Sequence, residues 1–149
     1  MKLKRFLSVF LALVMVFALL PVTAMPAKAE DIDVSGDCGD CTWNLQGSTL
    51  TISCSAGNGT MAAYDDFESA PWGNYTVYTV VIDGSVSSIG ANAFAGCSSL
   101  RNVLIRDGVK SIGYRSFYSC SGLDQVEIPS SVSIVGFEAF GGGLSLFPA

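Results

Sequence analysis

The chain has 149 residues, half of them hydrophobic, with 13 acidic and 8 basic side chains and no histidine. The missing histidine removes the commonest general base and metal ligand, and with them the Ser-His-Asp and Cys-His nucleophilic arrangements. The acidic balance repels phosphate backbones, so nucleic acid is not an expected partner.

Chain order begins with a leader. Lys2, Lys4 and Arg5 give a basic start, Phe6 to Leu20 is nearly all apolar, and Ala27-Lys28-Ala29 offers a small-x-small cleavage site. The apolar run is about 15 residues, short of the roughly 20 that a membrane span needs. No cysteine follows at a lipidation position, so residues 1–29 read as an export signal. The remainder, 30–149, has the length of one domain. It retains four cations against all 13 acids, a net charge of −9. Much of the positive mean hydropathy therefore belongs to the leader.

Residues 30–74 form a lead segment without internal repeats. Its start, Glu30 to Asp37, is acidic and polar and reads as a loose lead-in. Thr42 to Leu45 and Leu50 to Ser53 each alternate apolar and polar residues around Gln46-Gly47-Ser48-Thr49, which predicts a hairpin. With Leu45 opposite Leu50, Trp43 faces Ile52 and Cys41 faces Cys54, at the sites where side chains approach most closely. Export permits disulfides. The register favours Cys41–Cys54, with Cys38 as the competing partner. Gly57-Asn58-Gly59 reads as a turn. Met61, Tyr64, Phe67 and Pro71-Trp72 supply apolar bulk to cover the open N-terminal end of a repeat array that starts at residue 75.

From residue 75 to 149 the chain repeats itself at a step of 23: Ile82, Ile105 and Ile128; Phe94, Phe117 and Phe140; Gly90, Gly113 and Gly136; Cys97 and Cys120; Val77, Leu100 and Leu123. A fixed period of this size marks a solenoid, in which one short unit stacks on its copy. Within a unit, Val103 and Ile105 predict an inward-facing pair on a short strand. Asp107-Gly108 turns the chain, Val109 and Ile112 make a second inward pair, and Tyr114 to Cys120 suits a helical turn or 3₁₀ segment. About three units are present, the last incomplete.

These residues resemble the BspA-type leucine-rich repeat family of bacterial secreted and surface proteins. Its unit is approximately L-x-x-V-x-I-P-x-x-V-x-x-I-G-x-x-A-F-x-x-C. Leu123, Val126, Ile128-Pro129, Val132, Val135-Gly136 and Ala139-Phe140 match it, as do the corresponding residues of the two preceding units. Cys38-Gly39, Trp43, Leu50 to Ser53, Gly57 to Met61 and Pro71-Trp72 resemble a segment that often precedes such repeats. The resemblance implies a β-rich α/β fold: a short right-handed leucine-rich-repeat solenoid with an N-terminal β-hairpin cap. It further implies a non-enzymatic secreted or cell-surface role in protein binding or adhesion to a host or neighbouring cell. After Phe140 the pattern lapses into Gly141-Gly142-Gly143, with glycine where the cysteine is due, as expected of a C-terminally truncated member.

Candidate binding residues are those between the inward positions of the strands: Tyr78, Val81, Arg101, Leu104, Arg106, Asp124, Gln125 and Glu127. Stacking should bring Asp83 beside Arg106 and Arg101 beside Asp124. Three strands span only about 10 Å laterally, small for a specific interface. A spacer without a specific ligand is the alternative. A thiol–disulfide enzyme built on Cys38-Gly39-Asp40-Cys41 is disfavoured, because that chemistry needs the motif at a helix start and a strand follows here. Cys97 and Cys120 read as buried apolar residues on adjacent turns. Asp65, Asp66 and Glu68 cluster, as do Asp37 and Asp40, but neither group matches a defined loop, so no metal and no cofactor is expected.

Overall fold

Ten short strands organise the chain: β1 (Asp33–Cys38), β2 (Cys41–Gln46), β3 (Thr49–Cys54), β4 (Gly59–Thr60), β5 (Thr79–Ile82), β6 (Val86–Ile89), β7 (Asn102–Ile105), β8 (Ser111–Ile112), β9 (Gln125–Glu127) and β10 (Ile134–Val135). The computed structural model describes residues 33–65 and 70–143, apart from the side chain of Gln125. The leader 1–29, the side chains of Asp66, Phe67 and Glu68, and the tail from Leu144 lie outside the described residues.

Two sheets face each other across the core. The larger is six-stranded, ordered β1-β2-β3-β5-β7-β9, and the smaller runs β10-β8-β6-β4. β2 and β3 form an antiparallel hairpin in which Leu45 meets Leu50, Trp43 meets Ile52 and Cys41 meets Cys54. β3 then turns the sheet from antiparallel to parallel by pairing with β5, Leu50 opposite Val80. Beyond it the pairings of β5 with β7 and β7 with β9 join residues 23 apart, such as Val80 with Val103 and Val103 with Val126. The smaller sheet keeps the same step from Ser88 to Ser111 to Ile134.

Between the sheets the side chains stand in columns. Phe94 and Phe117 stack with centroids 5.0 Å apart, and Phe117 and Phe140 follow at 5.3 Å. Trp72 heads the column, 5.3 Å from Phe94, and its indole N–H donates to the Ala93 carbonyl at 2.9 Å. All four rings are buried. Each removes apolar surface from water, and burying a ring of this kind stabilises by roughly 1.5–3 kcal/mol. Where coils touch, no side chain fits. A Cβ on Gly113 would lie 2.7 Å from the Ala91 nitrogen, which is why glycine recurs at this step.

Two expectations need correction. The polar start of the lead segment is not loose: from Asp33 it is β1, paired along its length with β2. Val34 and Cys38 turn inward, Gly36 lies beneath the Trp43 ring, and the alternating polar residues face water. Polarity there is that of an edge strand with one wet face. The expected helical segment at Tyr114 to Cys120 is likewise absent. The described residues hold strands and turns and no helix, so the α/β part of the fold expectation fails. Arg115 (φ 49°) and Ser119 (φ 57°) sit in the left-handed region, which interrupts any helix. The backbone bonds instead to the next coil, with Phe94 N–H donating to Ser116 O at 2.7 Å and Phe117 N–H to Ala139 O at 2.8 Å.

Candidate functional site: the outer face of the six-stranded sheet

Alternation along each strand sends one set of side chains inward and the other to the outer face. Trp43, Leu45, Leu50, Ile52, Val80, Ile82, Val103 and Ile105 are all buried. Their neighbours form rows across the sheet. One row runs Ser35, Asn44, Thr51, Val81, Leu104, Glu127; the next runs Asp33, Gln46, Thr49, Thr79, Asn102, Gln125. Val81, Leu104 and Glu127 are thus neighbours in one row. Leu104 is 43% exposed and Val81 half-buried, an aliphatic pair on an otherwise polar surface.

The other candidates border this face. Tyr78 precedes β5 and is 48% exposed, and its carbonyl accepts hydrogen bonds from the Arg101 and Asn102 N–H groups at 2.9 and 3.1 Å. Arg101 lays its guanidinium against Gly122, where a Cβ would collide with it. At the strand exits, Arg106 N–H donates to Ile82 O at 3.0 Å. Asp83 is held below the usual carboxylate range, first by hydrogen bonds from Ser85 and to a lesser degree by the Arg106 charge. Asp124 and Glu127 are exposed on the outermost coil. Strand positions in the repeats pointed to this face, but its width did not follow from them. The hairpin and β1 add three strands, so the face spans about 24 Å rather than about 10 Å. Its contribution (Asn44, Thr49 and Thr51) could have been found from the polar halves of the two alternating runs.

The cysteines take three different environments. Cys41 and Cys54 are joined, with sulfurs 2.04 Å apart, beneath Gly59, where a Cβ would crowd both sulfur atoms. Cys38 is a free thiol, and burial, aided by the neighbouring Asp37 charge, pushes it up to about 11. A thiol so poorly ionised is a weak nucleophile, the reverse of an activated C-x-x-C pair. Cys97 and Cys120 are also free thiols, pushed by burial up to about 11 and about 12. The Cys120 S–H donates to the Phe94 carbonyl at 3.2 Å, inside the core.

The carboxylates are occupied structurally or lie in water. Asp40 accepts a hydrogen bond from the Thr60 N–H at 3.2 Å, tying the lead-in turn to β4. Asp65 is exposed. Among the described residues no three His, Cys, Asp or Glu side chains gather in a way that could hold a metal ion. No helix among them is long and apolar enough to cross a membrane.

Stacked coils, an inter-sheet phenylalanine column and a parallel strand face are the features of a leucine-rich repeat. The model described as "BspA type Leucine rich repeat region (6 copies)" matches residues 70–146. The chain belongs to the BspA-type leucine-rich repeat family. Among solved structures, it is similar to a leucine-rich repeat protein from Eubacterium ventriosum, at 23% identity and a TM-score of 0.68 over 76% of this chain. It is also similar to a leucine rich cell surface protein from Faecalibacterium prausnitzii, at 30% identity and a TM-score of 0.44 over 76% of this chain. The chain spans about a third of the length of these proteins, 31% and 35% respectively. No curated protein matches it.

Proposed function

We propose that this BspA-type chain is an exported, non-enzymatic binding protein that recognises a protein ligand through the outer face of its six-stranded sheet. The observation that carries this reading is Leu104, 43% exposed beside Val81, with Tyr78 at 48% on the border. Apolar and aromatic side chains held on a rigid, otherwise polar sheet are what interface centres are made of. Arg101, Arg106, Asp124 and Glu127 supply the polar rim. The basic start, apolar run and Ala27-Lys28-Ala29 site support export, with 1–29 as leader. Residues 30–74 act as the cap, since Trp72 closes the phenylalanine column and β3 supplies the strand on which the first repeat builds. Residues 75–149 form the short solenoid, and adhesion to a host or neighbouring cell is the role its family implies.

Leu104→Asp combined with Arg101→Glu tests the face. Both positions are exposed, so the circular dichroism should stay unchanged. Capture of a ligand identified by pull-down should fall by about tenfold or more. Unaltered capture would move the binding function elsewhere, or leave the chain as a spacer.

A further inference from the structure

Three of the five cysteines stand in one row across the larger sheet. Cys38 of β1 is the partner of Cys41 in β2, and Cys41 is the partner of Cys54 in β3. All three side chains turn inward, at 2%, 1% and 8% exposure. Cys41 therefore has a cysteine on each side: Cys54, bonded to it, and Cys38, a free thiol. Antiparallel partners lie about 4.5–5.5 Å apart between Cα atoms, a spacing that a disulfide can bridge. The middle cysteine can thus bond to either neighbour without a change of register.

A strap closes over the row. Residues 59–62 cross the Gly39-Asp40 turn that joins β1 to β2. The Asp40 N–H donates to Thr60 O at 3.0 Å, the Thr60 N–H to Asp40 Oδ2 at 3.2 Å and the Ala62 N–H to Cys38 O at 2.9 Å. Gly59 packs on both bonded sulfurs, and Met61 is buried beside it. Screened in this way from soluble thiols and oxidants, the disulfide has the Cys38 thiol as its one close reagent in the row.

We propose that Cys38, Cys41 and Cys54 form an intramolecular disulfide relay, which moves the bond from Cys41–Cys54 to Cys38–Cys41. The Cys38 thiol gives its proton to solvent, and the thiolate attacks Cys41 Sγ. The Cys38–Cys41 bond forms as the Cys41–Cys54 bond breaks, and the electron pair leaves on Cys54 Sγ, which takes up a proton. One disulfide and one thiol stand on each side of the step, so no oxidant or reductant is consumed. The order of the row puts the attacking and leaving residues on opposite sides of Cys41. Proximity raises the effective concentration of the thiol. Burial and the Asp37 charge hold back its ionisation, which makes the step slow at neutral pH. Asp37 and Asp40 are the charged groups beside it, since β2, β3 and the strap carry none. After the exchange the bond ties β1 to β2 and no longer β2 to β3, the strand that carries the first repeat. The freed Cys54 lies at that joint, where its N–H donates to Ser85 Oγ at 2.9 Å.

Disulfide mapping of the full chain tests the relay. The oxidised protein is held under native conditions at pH 8, 9 and 10, quenched in acid, alkylated while denatured and mapped by mass spectrometry. At the start Cys38 carries the label and Cys54 does not. With time the label should pass to Cys54 as the Cys38–Cys41 pair appears, while Cys97 and Cys120 stay labelled. The rate should rise about tenfold per pH unit and be independent of protein concentration. Cys38→Ala should keep the circular dichroism of the parent and abolish the transfer. Cys54→Ser, refolded with oxidised glutathione, should close Cys38–Cys41. Absence of label at Cys54 by pH 10, or a rate that follows protein concentration, would overturn the proposal. So would a Cys38–Cys54 bond or a bond to Cys97 or Cys120 in its place, or transfer that persists in Cys38→Ala.

Discussion

Ser116 stands in a buried column between Ala93 and Ala139, and its hydroxyl has no hydrogen-bond partner. A buried polar group without a partner costs its full desolvation, about 1–3 kcal/mol. The flanking alanines show that a methyl group fits. Ser116→Ala should therefore stabilise the fold by about 1 kcal/mol, read as a higher denaturation midpoint with an unchanged m-value. The free thiols give a second prediction. In the folded chain Cys38, Cys97 and Cys120 ionise only near 11, 11 and 12, against an ordinary value of 9.0. The folded state thus holds these protons more tightly than the unfolded state. Their contribution is fully present below pH 9 and is lost as the pH rises through 11 to 12. Stability should fall across that window, and replacing Cys120 with alanine should flatten the fall. No decline between those pH values would contradict the burial of the thiols.

The hairpin is the element on which the repeats are founded. β2 and β3 are joined by a two-residue turn at one end and by the Cys41–Cys54 bond at the other, a sequence separation of 13. Closing a loop of that length restricts the unfolded chain by about 3 kcal/mol in the entropic account. Reduction, or Cys41→Ser with Cys54→Ser, should lower stability by about that amount in chemical denaturation. β5 pairs directly with β3, so the repeats should unfold with the hairpin in one transition rather than outlast it. Two resolved transitions in the reduced protein would show that the coils stand alone. The register of this hairpin was legible because turn position and alternation together leave one pairing that buries Trp43, Leu45, Leu50 and Ile52 on the same side. β1 was not legible. An edge strand with a glycine beneath a tryptophan and aspartates on its wet side has the composition of a loop.

The whole molecule decides how broad the outer face of the larger sheet is. With six strands the outer face places Asn44 and Thr51 in the same row as Val81 and Leu104. A ligand centred on Leu104 that also covers the hairpin should lose affinity when Thr51→Lys is introduced. A drop of about threefold or more, roughly 0.7 kcal/mol, would place the footprint across the β3–β5 junction. An unchanged affinity would confine it to the repeats. Charge is distributed at this scale too: an acidic first coil, a basic second and an acidic third alternate along the stack. The Arg115–Glu138 contact, at 29% and 33% side-chain exposure, contributes about 0–1 kcal/mol.

The sequence alone determined the step between coils, the inward residues and the hairpin register, because each follows from spacing that repeats or alternates along the chain. Tertiary structure alone decided that Tyr114 to Cys120 is a turn bonded to the next coil and not a helix. Backbone groups there are satisfied by residues 22 positions away, as in the bond from Phe117 to Ala139. It alone decided, too, that the lead-in is a strand and that the outer face is six strands wide. Those outcomes depend on which edges and faces meet in space, and local pattern carries no record of such meetings.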